Sequence, residues 1–409
     1  MGNVESNRFS AAGSALGYLA QVEYALLVAL QRMDTDESLR LSLETVDDIT
    51  FEVEGQPEEL WQTKHHVDRR GSLGDASPDL WKTLHNWIET SDQRSACFLY
   101  STATVQDGTA AALLGPIRTN EDVLKARKLL DDVANAARNA ASRTYYERYL
   151  LLDETQRTDL LHRVVVLSAA ARADQITEKL LATVRKTTIQ SRRQPLIDRL
   201  RGWWHGRSMT HLTNVARGES DWIDIAEIED QLHMIAQSLR DDNLPLDYSD
   251  EPEPTTDEVA ADDRVFVEQL QIILLHHERI RHAVYDHNRA FLQRSRWQRE
   301  QLLAIGELDA YDRRLIEEWK RVFLPLEEAN EEDAAGADDK RKLARASYAQ
   351  LQERTLPEIR AEVRSGYVPL GSLHLLADRL EIGWHPDWVE LLKHRLAEVR
   401  GPVKTEGAA

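Results

Sequence analysis

The chain has 409 residues, of which 42% are hydrophobic, so it is long enough for two domains and too apolar to be disordered throughout. Its single cysteine, Cys97, excludes a disulfide framework and a zinc site built from cysteines. No apolar run approaches the roughly 20 residues of a membrane span, and the first residues do not resemble a secretion signal. We therefore expect a cytoplasmic protein that does not bind membranes.

The net charge of −19 argues against nucleic-acid binding by the isolated chain. Phosphate neutralisation by Lys and Arg supplies much of the affinity of DNA-binding proteins. Residues 1–118 hold nine basic and eighteen acidic side chains, a balance of −9. If DNA is the ligand, either a partner delivers it or assembly brings together basic residues of this segment such as Lys64, Arg69, Arg70, Lys82 and Arg94.

The first elements along the chain are a helix and three strands. Residues 11–33 show helical spacing of Leu16, Leu19, Leu26, Leu27 and Leu30, and Glu23 falls within this apolar stripe. Three short runs with strand-like alternation follow, and a Gly-Gln-Pro turn separates the last two. These runs are Leu39–Val46, Ile49–Glu54 and Glu59–His66.

A second helix is predicted to begin at Pro78, and Ala96–Thr102 has the pattern of another strand. The order helix, three strands, helix, strand predicts an α/β domain over residues 1–118. Beyond it the pattern favours helices to the end, so residues 119–409 are predicted to form a mostly α-helical domain. Two acidic stretches, Asp247–Asp263 and Glu327–Asp339, are predicted to be exposed loops.

Candidate chemistry lies in the first domain. Side chains of a strand alternate between faces, so Gln62 and Lys64 are expected on one face and Thr63 on the other. Asp48 begins the preceding strand, and a short hairpin would place it beside Gln62 and Lys64. Carboxylate and amide oxygens suit Mg²⁺, and a lysine can stabilise developing negative charge. Taken singly, an Asp at a strand start and a Lys on a strand are more often exposed residues without a catalytic role, and it is their combination with Gln62 that favours a site.

The segment resembles the nuclease domain of the PD-(D/E)xK superfamily, in the variant with Gln in place of the Glu of the ExK element. Within it, the likeness is to the double-stranded DNA endonuclease domain of bacterial anti-phage effectors. It extends over Gly17–Gln21, Tyr24–Leu27, Glu44–Ile49, Gln62–His66 and Ser77–Leu84. The resemblance implies a restriction-endonuclease-like mixed sheet with flanking helices, and Mg²⁺ or Mn²⁺ as the cofactor.

The resemblance also implies roles for individual residues. Asp48 would be the metal-binding Asp, Gln62 the second metal ligand and Lys64 the catalytic lysine, with Asp47 as the alternative to Asp48. Gln21 and Glu44 belong to the same pattern as supporting residues. Glu23 either reaches the Asp48 site or pairs with an arginine of the helical domain. Contacts to DNA are expected from Arg69, Arg70 and Lys82.

The rear of the chain has a resemblance of its own. Its motifs are Leu200–Trp204, Asp242–Pro245, Gln293–Trp297, Glu317–Trp319 and Gly383–Pro386. Together they resemble the C-terminal domain of effectors from ABC-three-component, Lamassu-type defence systems. That resemblance implies an SMC-like ABC ATPase and a small middle subunit as partners, with the ATPase activating the nuclease. Homo-oligomerisation is expected on activation, because one nuclease centre cuts one strand.

Two other functions remain open from the sequence. One is a non-catalytic adaptor that keeps a decayed nuclease fold, and the other is a nuclease acting on RNA. A catalytic metal at His277 and His282 is not expected, because ligands on one helical face need a spacing of four residues. The tryptophans of the rear half are expected to be core or interface anchors.

Overall fold

The computed structural model describes residues 5–33, 38–64, 72–90, 94–168, 173–332 and 336–395. The chain divides into two compact units, Met1–Ala236 (unit 1) and Gln237–Ala409 (unit 2). Within the described ranges, no helix is long and apolar enough to cross a membrane.

Unit 1 is built on one six-stranded mixed sheet. Its strands are β1 (Arg40–Leu43), β2 (Ile49–Val53), β3 (Gln56–Lys64), β4 (Ala96–Ser101), β5 (Val164–Leu167) and β6 (Ile223–Asp224), in the spatial order β5-β4-β3-β2-β1-β6. β1, β2 and β3 form an antiparallel meander, whereas β4 and β5 run parallel to β3. Glu54 and Gly55, at φ +49° and +82°, are the two left-handed residues of the tight turn between β2 and β3.

Nine helices accompany this sheet among the described residues. They are α1 (Glu5–Arg32), α2 (Pro78–Thr90), α3 (Ala110–Leu113), α4 (Asn120–Ala136), α5 (Arg143–Leu150), α6 (Glu154–Arg163), α7 (Ala173–Thr183), α8 (Arg193–Ala216) and α9 (Ile225–Ser238). The predicted helix at 11–33, the three strands that follow it, the helix from Pro78 and the strand Ala96–Thr102 correspond to α1, β1, β2, β3, α2 and β4.

The two faces of the sheet bury different side chains. On the α1 face, Trp61 stacks on Phe98 at 4.2 Å between ring centroids, and Tyr24 of α1 packs against Trp61 and Tyr100. On the α2 face, Leu60 belongs to a buried cluster that includes Trp87 and the other apolar residues of α2. The alternation of β3 therefore assigns Trp61 and Thr63 to the α1 face, and Leu60 and Gln62 to the α2 face.

The end of unit 1 differs from the boundary at residue 118 that the sequence indicated. β5 pairs with β4 in parallel, from Cys97 opposite Val164 to Tyr100 opposite Leu167, and β6 pairs with β1. The indole Nε1 of Trp204 in α8 donates a 2.8 Å hydrogen bond to the carbonyl of Val22 in α1. Since the sheet is completed by strands from beyond residue 118, the compact unit extends to Ala236.

Unit 2 is helical in its described part. It contains α10 (Thr256–Ala260), α11 (Val265–Ile272), α12 (His277–Arg299), α13 (Glu307–Glu332), α14 (Ala337–Glu353), α15 (Tyr367–Asp378) and α16 (Trp388–Leu391). The expectation that tryptophans anchor the core is confirmed for Trp297, Trp319 and Trp384, all buried. Trp297 donates its indole hydrogen to the Pro245 carbonyl at 2.8 Å.

Both predicted acidic loops contain helix within the residues that the structure describes. The first, Asp247–Asp263, contains the short helix α10. The second, Glu327–Asp339, overlaps the end of α13 and the start of α14. Its Glu- and Ala-rich composition has high helix propensity, which outweighs the lack of apolar residues.

Candidate functional site

The carboxylate of Asp48 lies beside Thr63, the middle residue of the Gln62-Thr63-Lys64 segment. Asp48 Oδ2 accepts hydrogen bonds from the Thr63 backbone nitrogen at 2.7 Å and from its hydroxyl at 2.8 Å. These two bonds hold Asp48 at the end of β3. Among the described residues its side chain makes no other hydrogen bond, which leaves Oδ1 for a ligand.

Asp47 is held by the opposite side of the sheet. Its Oδ2 accepts a 2.7 Å hydrogen bond from the indole of Trp87 in α2, and its Oδ1 accepts from the backbone nitrogen of Asp48 at 3.0 Å. Burial raises the pKa of the Asp47 carboxyl to about 6, and the neighbouring charge of Asp48 acts in the same direction. The ammonium of Lys64 lies close enough to oppose this rise in pKa.

Gln62 is buried and is fixed by α2 as well. Its Oε1 accepts a 3.2 Å hydrogen bond from Asn86, the residue before Trp87. Gln62 and Asp47 are therefore both anchored by consecutive residues of one helix. The carboxylate of Asp48 binds Thr63, whose side chain is on the α1 face, whereas Asp47 and Gln62 are both held by α2.

The side-chain amide of Gln21 holds the turn between β1 and β2. Its Nε2 donates to Glu44 Oε1 at 2.8 Å and to the backbone carbonyl of Asp48 at 2.9 Å. Glu44 has φ +56°, in the left-handed region, and its backbone nitrogen bonds the same Asp48 carbonyl. The amide of Gln21 thus ties α1 to both ends of the turn that presents Asp47 and Asp48.

Glu23 takes no part in this cluster. Its Oε2 accepts a 2.8 Å hydrogen bond from Nε of Arg201 in α8, which also bonds Thr177. Of the two alternatives for Glu23, pairing with an arginine from later in the chain is the one observed. The pair also satisfies a carboxylate that would otherwise be costly on a largely apolar helix face.

His211 of α8 supports the site in a way that the sequence did not indicate. Its Nε2 accepts a 3.0 Å hydrogen bond from the backbone nitrogen of Leu43, the last residue of β1, and its Nδ1 lies 3.6 Å from Asp221. The ring is fully buried, and burial lowers the pKa of His211. His211 therefore fixes, as a neutral acceptor, the strand end from which Glu44 and the two aspartates follow.

Trp87, Asn86 and Thr63 were also missed as partners of the site. In the sequence, Trp87 was recognisable only as part of the apolar face of α2. Lys82 is exposed on α2, and Arg69 and Arg70 lie outside the described residues.

The candidate site offers few donor atoms to a divalent cation. Within the described ranges, no group of three or more His, Cys, Asp or Glu side chains could hold a metal ion. The candidate set instead combines the carboxylate of Asp48, one oxygen of which makes no hydrogen bond to the described part of the chain, and the amide oxygen of Gln62. These are hard oxygen donors, which fit Mg²⁺, and a site with so few protein ligands leaves positions for water and phosphate oxygens.

Comparison with protein families places the rear of the chain. Residues 266–392 match C-terminal domain 7 of the ABC-three component (ABC-3C) systems. The match covers α11 to α16 and supports membership of the chain in an ABC-3C system. No curated protein matches the chain.

Proposed function

We propose that unit 1 is a metal-dependent DNA endonuclease and that the chain is the nuclease effector of an ABC-3C defence system. One arrangement supports this most strongly. Asp48, Asp47 and Gln62 are each held by a specific hydrogen bond, to Thr63, Trp87 and Asn86 respectively, and Lys64 lies close enough to Asp47 to oppose the rise in its pKa. Polar residues with only a surface role would not need this support.

In the proposed site, Asp48 and Gln62 would hold Mg²⁺, and the chemistry that the ion would supply when bound is that of a Lewis acid for phosphodiester hydrolysis. Lys64 contributes a positive charge at the same strand end, where negative charge develops on the phosphate. Trp87 and Asn86 position Asp47 and Gln62, and Thr63 keeps Asp48 oriented. Gln21 and Glu44 keep the turn in place.

The acidic balance of the chain favours control by partners. A protein of net charge −19 is repelled by DNA, so the isolated effector is expected to cut slowly. We propose that an SMC-like ABC ATPase of the same system, with a small middle subunit, delivers DNA or promotes self-association of the effector. The family match of residues 266–392 is compatible with a role of unit 2 in that assembly.

The test is cleavage of a supercoiled plasmid in Mg²⁺ by the full chain, alone and with the other components of its system. Lys64→Met and Asp48→Asn should each lower the cleavage rate by at least about a hundredfold, since each removes a charge from the reacting centre. Lys128→Met, which removes an exposed lysine of α4, is the matched control and should cut at the wild-type rate. Cleavage that survives in both site variants would refute the site.

The same assay separates the alternatives. A chain that cuts neither DNA nor RNA in the complete, activated system would be an adaptor with a decayed nuclease fold. A preference for single-stranded or double-stranded RNA over DNA at equal concentration would make it a ribonuclease.

A further inference from the structure

The stretch Lys179–Gly218 of unit 1 is strongly basic although the chain as a whole is acidic. Its 40 residues hold nine Lys and Arg side chains and one acidic side chain, Asp198, a balance of +8. The rest of the chain therefore has a balance of −27. The stretch lies beyond the sequence-based boundary at residue 118, but the structure places it inside unit 1, where it covers the end of α7 and all of α8.

Most of the cations at one end of this stretch are not neutralised by the fold. Arg201 and Arg207 form ion pairs with acidic residues of unit 1. By contrast, Arg185, Lys186 and Arg193 make no ion pair with any residue that the structure describes, and the first two are exposed. Like charges that lie close together repel one another, and a bound anion relieves that repulsion.

These cations lie together at the turn of an antiparallel helix pair. Arg201 Nη2 in α8 donates a 2.7 Å hydrogen bond to the hydroxyl of Thr177 in α7, and Arg193 Nη2 donates to the carbonyl of Arg185 at 3.4 Å. The two contacts are eight residues apart on each side. The chain therefore turns from α7 into α8 at a basic end, which we define as Arg185, Lys186, Arg192 and Arg193.

The other end of α7 reaches the candidate site. Ile176, in the first turn of α7, lines a small pocket together with Gln21, Thr63 and Lys64. Nine residues separate Ile176 from Arg185, which is about 14 Å along a helix axis. Duplex DNA rises about 3.4 Å per base pair, so this length corresponds to about four base pairs. A duplex bound beside Lys64 can therefore reach the basic end.

The composition of the basic end fits the backbone of a duplex. Guanidinium and ammonium groups form charge-assisted hydrogen bonds with phosphate oxygens, and uncharged Ser, Thr and Gln side chains make further backbone contacts in protein–DNA interfaces. Side chains of the second kind fill Thr187–Ser191, except for Ile189. Binding of unpaired bases depends on aromatic side chains, and Lys179–Gly202 contains none. An intact duplex is thus favoured over a single strand.

The acidity of the rest of the chain does not prevent such a contact. At an ionic strength of about 0.1 M the screening length is about 10 Å, so acidic residues farther away than this have little effect on a phosphate at the basic end. The net charge lowers the rate at which DNA approaches, whereas the local cations determine how firmly the bound backbone is held.

We propose that the basic end binds the phosphate backbone of duplex DNA next to the position at which unit 1 cuts it. The choice of duplex DNA rests on the proposed nuclease function, but the contact itself requires no cleavage and can be measured without it. Because only phosphates are contacted, binding at this surface is independent of the base sequence.

The test is fluorescence anisotropy of a labelled 20-base-pair duplex, titrated with the full chain in EDTA at several salt concentrations. Arg185→Gln combined with Lys186→Gln should weaken binding at least about tenfold at 0.1 M salt. It should also reduce the slope of log K against log salt by about 2, because two phosphate contacts are lost. Both side chains are exposed, so the variant is expected to fold.

The matched control is Lys128→Gln combined with Arg138→Gln. It changes the net charge equally at two exposed positions in and just after α4, and it should bind DNA as the wild type does. Asp48→Asn should also bind the duplex while failing to cut a plasmid. Binding that depends on the basic end in a chain without nuclease activity would support this surface and refute the proposed cleavage function alone.

Three outcomes would overturn the proposal. One is no binding of the duplex by the wild type at about 0.1 mM protein, the weak limit of non-specific DNA binding. The second is an equal loss of affinity in the basic-end variant and in the control, which would indicate a general effect of charge. The third is competition by polyglutamate as strong as that by the duplex at equal charge, which would identify a surface for an acidic protein instead.

Discussion

Asp48 and Thr63 are joined by two hydrogen bonds to a single carboxylate oxygen, from the backbone nitrogen and the hydroxyl of Thr63. Thr63 separates Gln62 from Lys64, so the link couples the turn after β1 to the strand that carries the other candidate residues. Thr63, which separates the candidate residues Gln62 and Lys64, is thus itself a part of the site.

Thr63→Val removes the hydroxyl bond and keeps both the backbone bond and the β-branched shape. We expect the carboxylate of Asp48 to be held less firmly, which should raise the activation free energy of cleavage by about 1 kcal/mol. This corresponds to a several-fold lower rate of plasmid cleavage. The control is Thr90→Val, which removes an exposed hydrogen bond from the Thr90 hydroxyl to the backbone carbonyl of Asn86 in the same helix. An unchanged rate in Thr63→Val would mean that the backbone bond alone orients Asp48.

Asp47 makes the stability of the metal-free protein depend on pH. Its pKa is about 6 in the folded protein and 3.8 in the reference state, so the folded state holds the proton more tightly. Protonated Asp47 therefore stabilises the folded state fully below pH 3.8. As the pH rises through 6 this contribution is lost, and the free energy of unfolding falls by up to about 3 kcal/mol.

Asp47→Asn removes this titration. In EDTA, the free energy of urea-induced unfolding of the variant relative to wild type should increase from pH 4 to pH 7.5. Asn86→Ala, which leaves the Asp47 carboxyl and its Trp87 bond in place, should retain the wild-type pH dependence. A variant-to-wild-type difference that does not change with pH would contradict the raised pKa.

The ion pair between Glu23 and Arg201 is expected to stabilise unit 1 without affecting chemistry. Both side chains are partly buried, with 33% and 22% exposure, and the pair joins α1 to α8. Arg201→Met should lower the free energy of unfolding by about 1 kcal/mol, mostly by leaving Glu23 without its partner. Lys125→Met, which breaks the exposed pair with Glu121, should have almost no effect. A large loss of metal affinity in Arg201→Met would instead connect Glu23 to the site.

The sequence predicted the local elements of unit 1 better than its extent. The β1–β3 meander, α2 and β4 follow from alternation and helical spacing, which are properties of short segments. β5 is four residues long and β6 two, and each is defined by pairing with a strand more than 60 residues away in the chain. No local pattern reports such a pairing.

The candidate site shows the same difference between features of short segments and contacts between distant parts of the chain. Gln62 and Lys64 could be recognised because they lie two residues apart on one strand. The bonds that set Asp47 and Asp48 apart depend on the left-handed Glu44, on Trp87 of α2 and on Gln21 of α1. These contacts join three elements, so only the folded chain reveals them.

The extent of unit 1 leads to a prediction for truncated chains. Residues 1–118 lack β5 and β6, so β4 and β1 would become edge strands, and Trp81 would lose its ring contacts with Tyr146 and Tyr149. We expect residues 1–118 to aggregate and residues 1–240 to be monodisperse with a cooperative thermal transition. Circular dichroism and size-exclusion chromatography would check both, and a cooperatively folded 1–118 fragment would contradict the division.

Unit 2 is predicted to lose stability at acidic pH. Burial lowers the pKa of His287 to about 4, and the guanidinium of Arg264 adds to the effect. His374 is fully buried between Phe266, Tyr348 and Trp384, and burial lowers its pKa to about 3. Both rings are therefore neutral in the folded protein over a pH range in which the unfolded chain is protonated.

A folded pKa below the unfolded value of 6.5 gives stability that is complete above pH 6.5 and falls as the pH drops towards 4. Hydrogen exchange, corrected for its intrinsic pH dependence, should show protection of α12 and α15 falling from pH 7 to pH 4.5. Protection of α4, which contains no histidine, is the internal reference and should change less. His287→Phe keeps an aromatic ring stacked on Phe266 and should reduce the acid-induced loss in α12. An equal loss in the variant and in wild type would show that other groups cause the acid sensitivity.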